Sequence, residues 1–462
     1  MPELSVRQTK IPGLLIFELP LMSDARGWFK ENWHRQKMEA LGLPDFGPVQ
    51  NNMSLSHSAG VTRGFHAEPW DKLVSVAHGR VFSAWVDLRE GDTFGQTLTL
   101  EMGPETAIFL PRGVANSYQT LTEGSVYSYL VNEHWTASAR ERYTYLNLAD
   151  ETVAVDWPVP LEQTVRSEAD LHHPRLADVT PMPRGRVLVT GANGQLGRAL
   201  RSQLPHAQFT TRDELDIADP AAVAAFDFDG VETIINAAAF TGVDAAETPA
   251  GRGRCWATNA TGARLLTEAA RRHRATLVHV SSDYVFDGSV AEHTEDEPVS
   301  PLGSYGASKA AADAAIAMWP RHYIVRTSWV VGDGANFVRT MAGLARRGVS
   351  PSVVNDQFGR LTFADDLARG VLHLISSQAP FGTYNLTSDG PTRSWYDIAS
   401  SVFAHLGVDA TITPVDTATY VVGKAMAPRP RNSTLRLDKI RATGFVPGEG
   451  DQELASYIET LH

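Results

Sequence analysis

Two unlike folded units in tandem are predicted: an all-β sandwich or small barrel, then an α/β unit built on a parallel sheet. Three observations carry this. Over the first ~150 residues, short strands are punctuated by Gly, Pro and Asp, as at Leu110-Pro111-Arg112-Gly113, and Phe82, Ala84, Val86 and Leu88 recur with the period of two of a strand. From Arg186 onward, apolar strands (Val187-Leu188-Val189, Thr233-Ile234-Ile235, Leu277-Val278-His279-Val280) alternate with Ala-rich helical stretches, the pattern of a sheet covered by helices. Between them, His172-His173-Pro174 and Thr180-Pro181-Met182-Pro183 read as a linker, which places the domains at 1–180 and 185–462.

The 462 residues allow two or three domains, each with its own core. With 43% hydrophobic and 20% charged residues, the composition excludes a disordered or fibrous chain. A net charge of -12 argues against nucleic acid as a partner. No apolar run approaches the roughly 20 residues that span a bilayer, so no membrane association is expected. The N-terminal stretch lacks the long apolar region of a signal peptide, and Leu14-Leu15-Ile16-Phe17 reads as a strand. The single cysteine, Cys255, excludes an internal disulfide and fits a reducing compartment, so a cytoplasmic location is expected.

Strand Arg186-Val187-Leu188-Val189-Thr190 leads into Gly191-Ala192-Asn193-Gly194-Gln195-Leu196-Gly197 and then a helix. Glycines so spaced allow a tight turn against a pyrophosphate, which the helix N-terminus then faces, so all but Ala192 are candidate cofactor contacts. About 20 residues on, where a ribose contact is expected, Arg212 stands beside Asp213. An arginine suits the 2′-phosphate of NADPH and an acid suits NADH; NADPH is expected, with NADH usable. Tyr305 and Lys309 lie at i and i+4 on one helix face, where a nearby ammonium makes the ionised phenol less costly. Ser282, at the end of a strand, could hold a carbonyl against that phenol.

These motifs resemble the extended short-chain dehydrogenase/reductases, and within them the dTDP-4-dehydrorhamnose reductases. The likeness extends through Asn236-Ala237-Ala238-Ala239-Phe240-Thr241, Asp244, Glu247, the stretch SSDYVFDG, Arg326-Thr327-Ser328-Trp329, Asn355-Asp356-Gln357-Phe358-Gly359-Arg360 and Arg429-Pro430-Arg431-Asn432-Ser433. It implies a Rossmann-type doubly wound sheet with a small C-terminal substrate-binding portion. It makes Ser282 (usually Thr in the family), Tyr305 and Lys309 the catalytic set. Cofactor contacts would include Asp216, Ile217, Ala237, Ala238, Ala239 and Thr241, and Trp329 and Arg429 would touch the sugar nucleotide.

The N-terminal part carries a dense polar set: Arg26-Gly27-Trp28-Phe29-Lys30-Glu31, Gln50-Asn51-Asn52, and Arg63-Gly64-Phe65-His66-Ala67-Glu68-Pro69-Trp70-Asp71-Lys72. Alternate strand residues in a small barrel point inward, so Arg, His and Lys can converge in one cavity. With no H-x-H pair and no third convincing ligand, a metal site ranks well below a metal-free acid–base site. These stretches, with PRGVANSYQ, SVYSYLVNEHW and SEADLHHP, resemble the dTDP-4-dehydrorhamnose 3,5-epimerases, which are cupin-like β-barrels. The resemblance implies His66 as base oriented by Asp170, Tyr129 as acid, and Lys72 beside the enolate oxygen. It implies nucleotide contacts from Arg26, Glu31, Gln50, Asn52, Arg63 and Asn116. Asn116 stands where many members have His, and Ala169 where many have Lys.

The two resemblances imply successive steps on one dTDP-4-keto-6-deoxyhexose, epimerisation at C3 and C5 and then reduction of the C4 ketone. A UDP or other nucleotide sugar is the rival substrate, and a non-catalytic regulatory protein the rival class; the intact catalytic sets argue against the latter. A homodimer through the epimerase domain is an open partner expectation.

Overall fold

Period-two patterning in the first unit, Met1–Arg184, builds two antiparallel sheets. The computed structural model describes residues 3–183, 185–408 and 410–461. One sheet has the strand order Ser5–Gln8, Leu15–Glu18, Thr106–Leu110, Lys72–His78, Ser125–Val131, Gln50–Ser56. The other runs Thr144–Leu146, Thr62–Ala67, Val114–Thr120, Val81–Asp87, Thr97–Met102. Ile16, Val74 and Ile108 of the first meet Trp85, Val114 and Tyr118 of the second in a shared core.

The strand Val81–Asp87 keeps the expected alternation, and its other phase is apolar as well. Ala84, Val86 and Leu88 face an outer layer of Leu146, Leu148, Val153, Leu176 and Val179, while Val81 and Trp85, of the opposite phase, fill the core between the sheets. Both faces are covered, so an apolar phase marks one buried face and leaves the other unannounced.

In the second unit, Gly185–His462, a parallel sheet runs Gln208–Thr210, Arg186–Thr190, Val231–Asn236, Thr276–Ser282, His322–Thr327, Gly382–Asn385. Consecutive strand residues point to opposite helical layers. Val189, Ile235 and Val278 pack with Leu200, Leu367 and Val371, whereas Leu188, Ile234 and Leu277 pack with Val223, Leu266 and Ile316. Strand order reverses between the neighbours Arg186–Thr190 and Val231–Asn236, the switch point at which such sheets bind ligands. Helices Phe337–Arg346, Trp395–His405 and Gly450–Thr460 share a separate cluster that includes Val338, Met341, Phe403, Leu454 and Ile458, which is the smaller C-terminal portion.

Trp85 is fully buried, and truncation to alanine is expected to cost the first unit about 3–5 kcal/mol. Hydrogen exchange should quicken in its sheets and stay unchanged in 185–461; undiminished protection would show that neighbours refill the space.

Candidate active sites

In the first unit, a bulge in the strand Thr62–Ala67 assembles the polar set. Asn116 pairs with His66 and Tyr118 with Arg63, so Gly64 and Phe65 together oppose the single residue Ser117. Asn116 and Tyr118 share a face, and the extra residue brings Arg63 and His66, three apart, onto that face as well. Tyr118 and Ser54 bond at 3.0 Å, and the Arg63 guanidinium donates to Ser54 Oγ at 2.9 Å. On the strand Gln50–Ser56, Gln50, Asn52 and Ser54 are half-buried, while Asn51, Met53 and Leu55 of the other face are exposed. Asn116 accepts the Tyr127 hydroxyl at 3.0 Å.

His66 Nε2 lies 3.5 Å from Asp170 Oδ1. Asp170 arrives on the short helix Glu168–Leu171, whose cap Ser167 accepts the Asp170 backbone N–H. Burial alone would raise this carboxyl, but the hydrogen bonds from His66 and Ser167 outweigh it and bring it down to about 2. The dyad needs Gly64: a Cβ there would sit 2.1 Å from Asp170 Oδ1. Lys72 is buried and ion-paired with Glu68, its Nζ 5.2 Å from the Tyr129 ring centroid. Burial pushes this ammonium down to about 7 and the Tyr129 phenol up.

One premise is corrected: a third ligand-type residue does accompany His66 and Asp170. His173 stacks on Tyr145 at 4.6 Å, and the ligand atoms of His66, Asp170 and His173 lie within 4.8 Å of one another. His173 comes from the proline-rich stretch beyond Asp170, so only the fold shows the approach. Arg26 and Glu31 are already engaged on the surface, Arg26 with Asp24 and Glu31 with Lys37.

In the second unit, Gly191 has φ 76°, and a Cβ there would lie 2.6 Å from the Ala238 backbone nitrogen. The dinucleotide turn thus rests against Ala237 and Ala238 across the switch point. Gly194 caps the helix Gln195–Gln203 with no side-chain bond to its N–H groups, and the buried Gln195 Oε1 has no hydrogen-bond partner. Free donors at a helix N-terminus, with a cradle that a Cβ would fill, fit a dinucleotide pyrophosphate. Asn193 accepts Arg198 through its carbonyl, Leu196 is buried behind the turn, and Arg212 is exposed and pairs with Asp216 at 3.1 Å. Ile217 is buried, and Phe240, between Ala239 and Thr241, is held through its backbone N–H and C=O by Asn259.

Ser282 donates to Asp283 at 2.9 Å and also bonds Tyr305. Burial pushes the Tyr305 phenol up, which keeps it protonated, and pushes the Asp283 carboxyl up to about 7. Lys309 differs from expectation: its Nζ donates to the Val280 carbonyl at 2.6 Å and lies 3.1 Å from His279 Nε2. Glu247 lines the cavity beside Tyr305, and Asp244 holds the segment that supplies its Ala427 and Pro428. Glu247 accepts the Ser304 N–H at 2.6 Å, capping the helix Ser304–Ile316, and Asp244 holds Arg429 and the Ala427 N–H. Trp329 lies elsewhere in the substrate portion, with left-handed φ 45° and stacked on Trp395 at 3.7 Å. Asp283, Asn259 and His279 escaped the sequence reading as site residues. A polar residue inside an apolar strand was the signal for His279.

A histidine–carboxylate dyad within a β-barrel, followed by Ser, Tyr and Lys beside a dinucleotide turn, defines an acid–base isomerase unit joined to a reductase unit of the short-chain type. Residues 185–462 match the family described as RmlD substrate binding domain, to which the chain belongs, and residues 8–178 match dTDP-4-dehydrorhamnose 3,5-epimerase. The first unit is similar to a protein RmlC homolog of Streptococcus pyogenes, 47% identical over 185 residues, covering 39% of this chain and 93% of that protein. The second is similar to a dTDP-4-dehydrorhamnose reductase of Aggregatibacter actinomycetemcomitans, 36% identical over 290 residues, covering 58% of this chain and 97% of that protein. A crystal structure of a Bacillus anthracis dTDP-4-dehydrorhamnose reductase in complex with NADP superposes with TM-score 0.55 at 33% identity, over 60% of this chain and 100% of that one. Among the described residues, no helix is long and apolar enough to cross a membrane.

Gly64→Ala should drive Asp170 from His66 and lower proton abstraction in the first unit by about 10²-fold or more, while leaving the second unit's ketone reduction intact. Deuterium exchange into a 4-keto sugar measures the first and NADPH oxidation the second; undiminished exchange would remove the dyad from the mechanism.

Proposed function

We propose that the chain converts dTDP-4-keto-6-deoxy-D-glucose to dTDP-L-rhamnose, the first unit inverting C3 and C5 and the second reducing the C4 ketone with NADPH. The observation that carries this is the pairing of the His66–Asp170 dyad, with Lys72 and Tyr129, and the Ser282, Tyr305 and Lys309 set in one chain. The C3 and C5 protons of a 4-keto sugar are acidic because either anion delocalises onto O4. His66 takes the proton, Asp170 stabilises the imidazolium, Lys72 holds O4, and Tyr129 returns a proton from the other face. The product is still a 4-ketone, which Ser282 holds while Tyr305 donates the proton to O4. NADPH, when bound, supplies the hydride to C4.

Gln50, Asn52, Arg63 and Asn116 would bind the nucleotide and sugar of the epimerase substrate, with Arg26 and Glu31 exchanging their surface partners for it. In this reading His66 and Asp170 act as the acid–base pair, and His173, stacked on Tyr145 and held below its ordinary value by burial, supports them in its neutral form. In the second unit, Arg429 and Trp329 would contact the sugar nucleotide. Arg212 would hold the 2′-phosphate of NADPH, with NADH a weaker substitute. The exposed Met53 and Leu55 on an edge strand, with exposed Trp28 and Phe29, suit a homodimer through the epimerase unit, and a cytoplasmic enzyme fits this chemistry.

His66→Asn should abolish rhamnose-nucleotide formation through the epimerase alone, and Tyr305→Phe through the reductase alone. Each loss is expected to be about 10²–10⁴-fold. Mixing the two folded variants should restore product, because the 4-keto intermediate diffuses between molecules. Failure to complement would show that the assignment of one site is wrong or that the units are interdependent.

The kcat/KM for NADPH should exceed that for NADH modestly, and Arg212→Ala should erase the difference. A strong NADH preference in the unaltered protein removes the role given to Arg212.

A further inference from the structure

Thr190, Asn236, His279 and Lys309 form a buried polar line beneath the switch point, and only Lys309 has a part in the chemistry described above. Asn236 Oδ1 accepts the Ala238 backbone N–H at 3.2 Å and the Thr190 hydroxyl at 2.8 Å. A backbone N–H can only donate, so the amide oxygen faces the turn and the amide NH2 faces His279 Nδ1, 3.0 Å away. Nδ1 therefore accepts, and the one proton of a neutral imidazole sits on Nε2. Nε2 lies 3.1 Å from Lys309 Nζ. An N–H aimed at a nitrogen is met by the lone pair of an amine and repelled by an ammonium, which has none. Imidazolium does not resolve the conflict, because burial and the Lys309 charge hold His279 well below its ordinary value.

We propose that His279 is a positioning residue of the ketone reduction: fixed by Asn236 as the Nε2–H tautomer, it donates to Lys309 and stabilises the uncharged amine. The inference rests on the reductase reading above. Other groups around Lys309 act in both directions. Burial, the largest influence, lowers it to about 8, while Asp313 on the same helix and, once ionised, the Cys255 sulfur raise it. Asp313 is itself paired with Arg326 at 3.0 Å, and the Val280 carbonyl takes one Nζ hydrogen. Tyr305 and Ser308 share the helix Ser304–Ile316 with Lys309. Once Tyr305 has given its proton to O4, a Lys309 N–H bond breaks and the phenol O–H bond re-forms. The electron pair left on Nζ accepts His279 Nε2–H, and water later recharges the amine.

The test uses the full chain with ¹⁵N-labelled histidine, His279→Gln identifying the signal. His279 is expected to stay neutral with its proton on Nε2 from about pH 6 to about pH 9. A proton on Nδ1, or an imidazolium at the acid end, overturns the proposal whatever the activity. Asn236→Asp places a carboxylate oxygen against Nδ1, which should move the proton there and leave the Nε2 lone pair to an ammonium. The basic limb of the kcat/KM profile for ketone reduction should then rise by about one pH unit, a roughly tenfold gain in proton affinity. A uniform loss of kcat with that limb unmoved would reduce Asn236 and His279 to structural support and overturn the proposal. Neither result touches the proposed function, whereas a wild-type protein that reduces no 4-keto sugar nucleotide would sink that reading and leave the tautomer measurement standing.

Discussion

The contact between Asp170 and the backbone at Gly64 is the constraint on which the first unit's chemistry hangs. A carboxylate can reach His66 there only because position 64 carries no side chain, and the same stretch of strand contains the bulge that turns Arg63 and His66 to one face. The second unit repeats the device with different partners: Gly191 lets its turn lie against the backbone of Ala238. In both places a close approach to main chain leaves no room for a side chain, and the tolerance for displacement is smaller than a methyl group.

Burial does the remaining tuning, and it does so differently in the two halves. Lys72 and Lys309 are both buried amines lowered toward neutrality, but Lys72 keeps a carboxylate, Glu68, at its side, whereas Lys309 faces a carbonyl and an imidazole. In the proposed reactions the first arrangement would serve as a cation beside a developing oxyanion, and the second as a group that exchanges its proton. An epimerase and a reductase acting on the same ketone need these two behaviours.

Much of this was legible in the sequence where the signal is local. The glycine turn is flanked by its own strand and helix, and helical spacing alone sets Tyr305 and Lys309 on one helix, although the Lys309 amine turns to Val280 and His279. The rest depends on pairings between distant segments. Arg63 and His66 are an odd number of residues apart, so simple alternation sets them on opposite faces, and only the partner strand shows the bulge. His173 reaches the dyad by the return of a segment that read as linker. Asn236 and His279 lie opposite each other in register on adjacent parallel strands, which a single chain read in order does not display. The left-handed backbone at Trp329 has no herald in the neighbouring residues.

Asp244 and Glu247 belong to one short turn, yet one grips the 427–429 segment and the other caps the helix that bears Tyr305. The wall of the cavity and the proton donor are therefore hinged on the same few residues. Any displacement of that turn would be passed to both at once, so the wall and the helix that bears Tyr305 are set by one anchor.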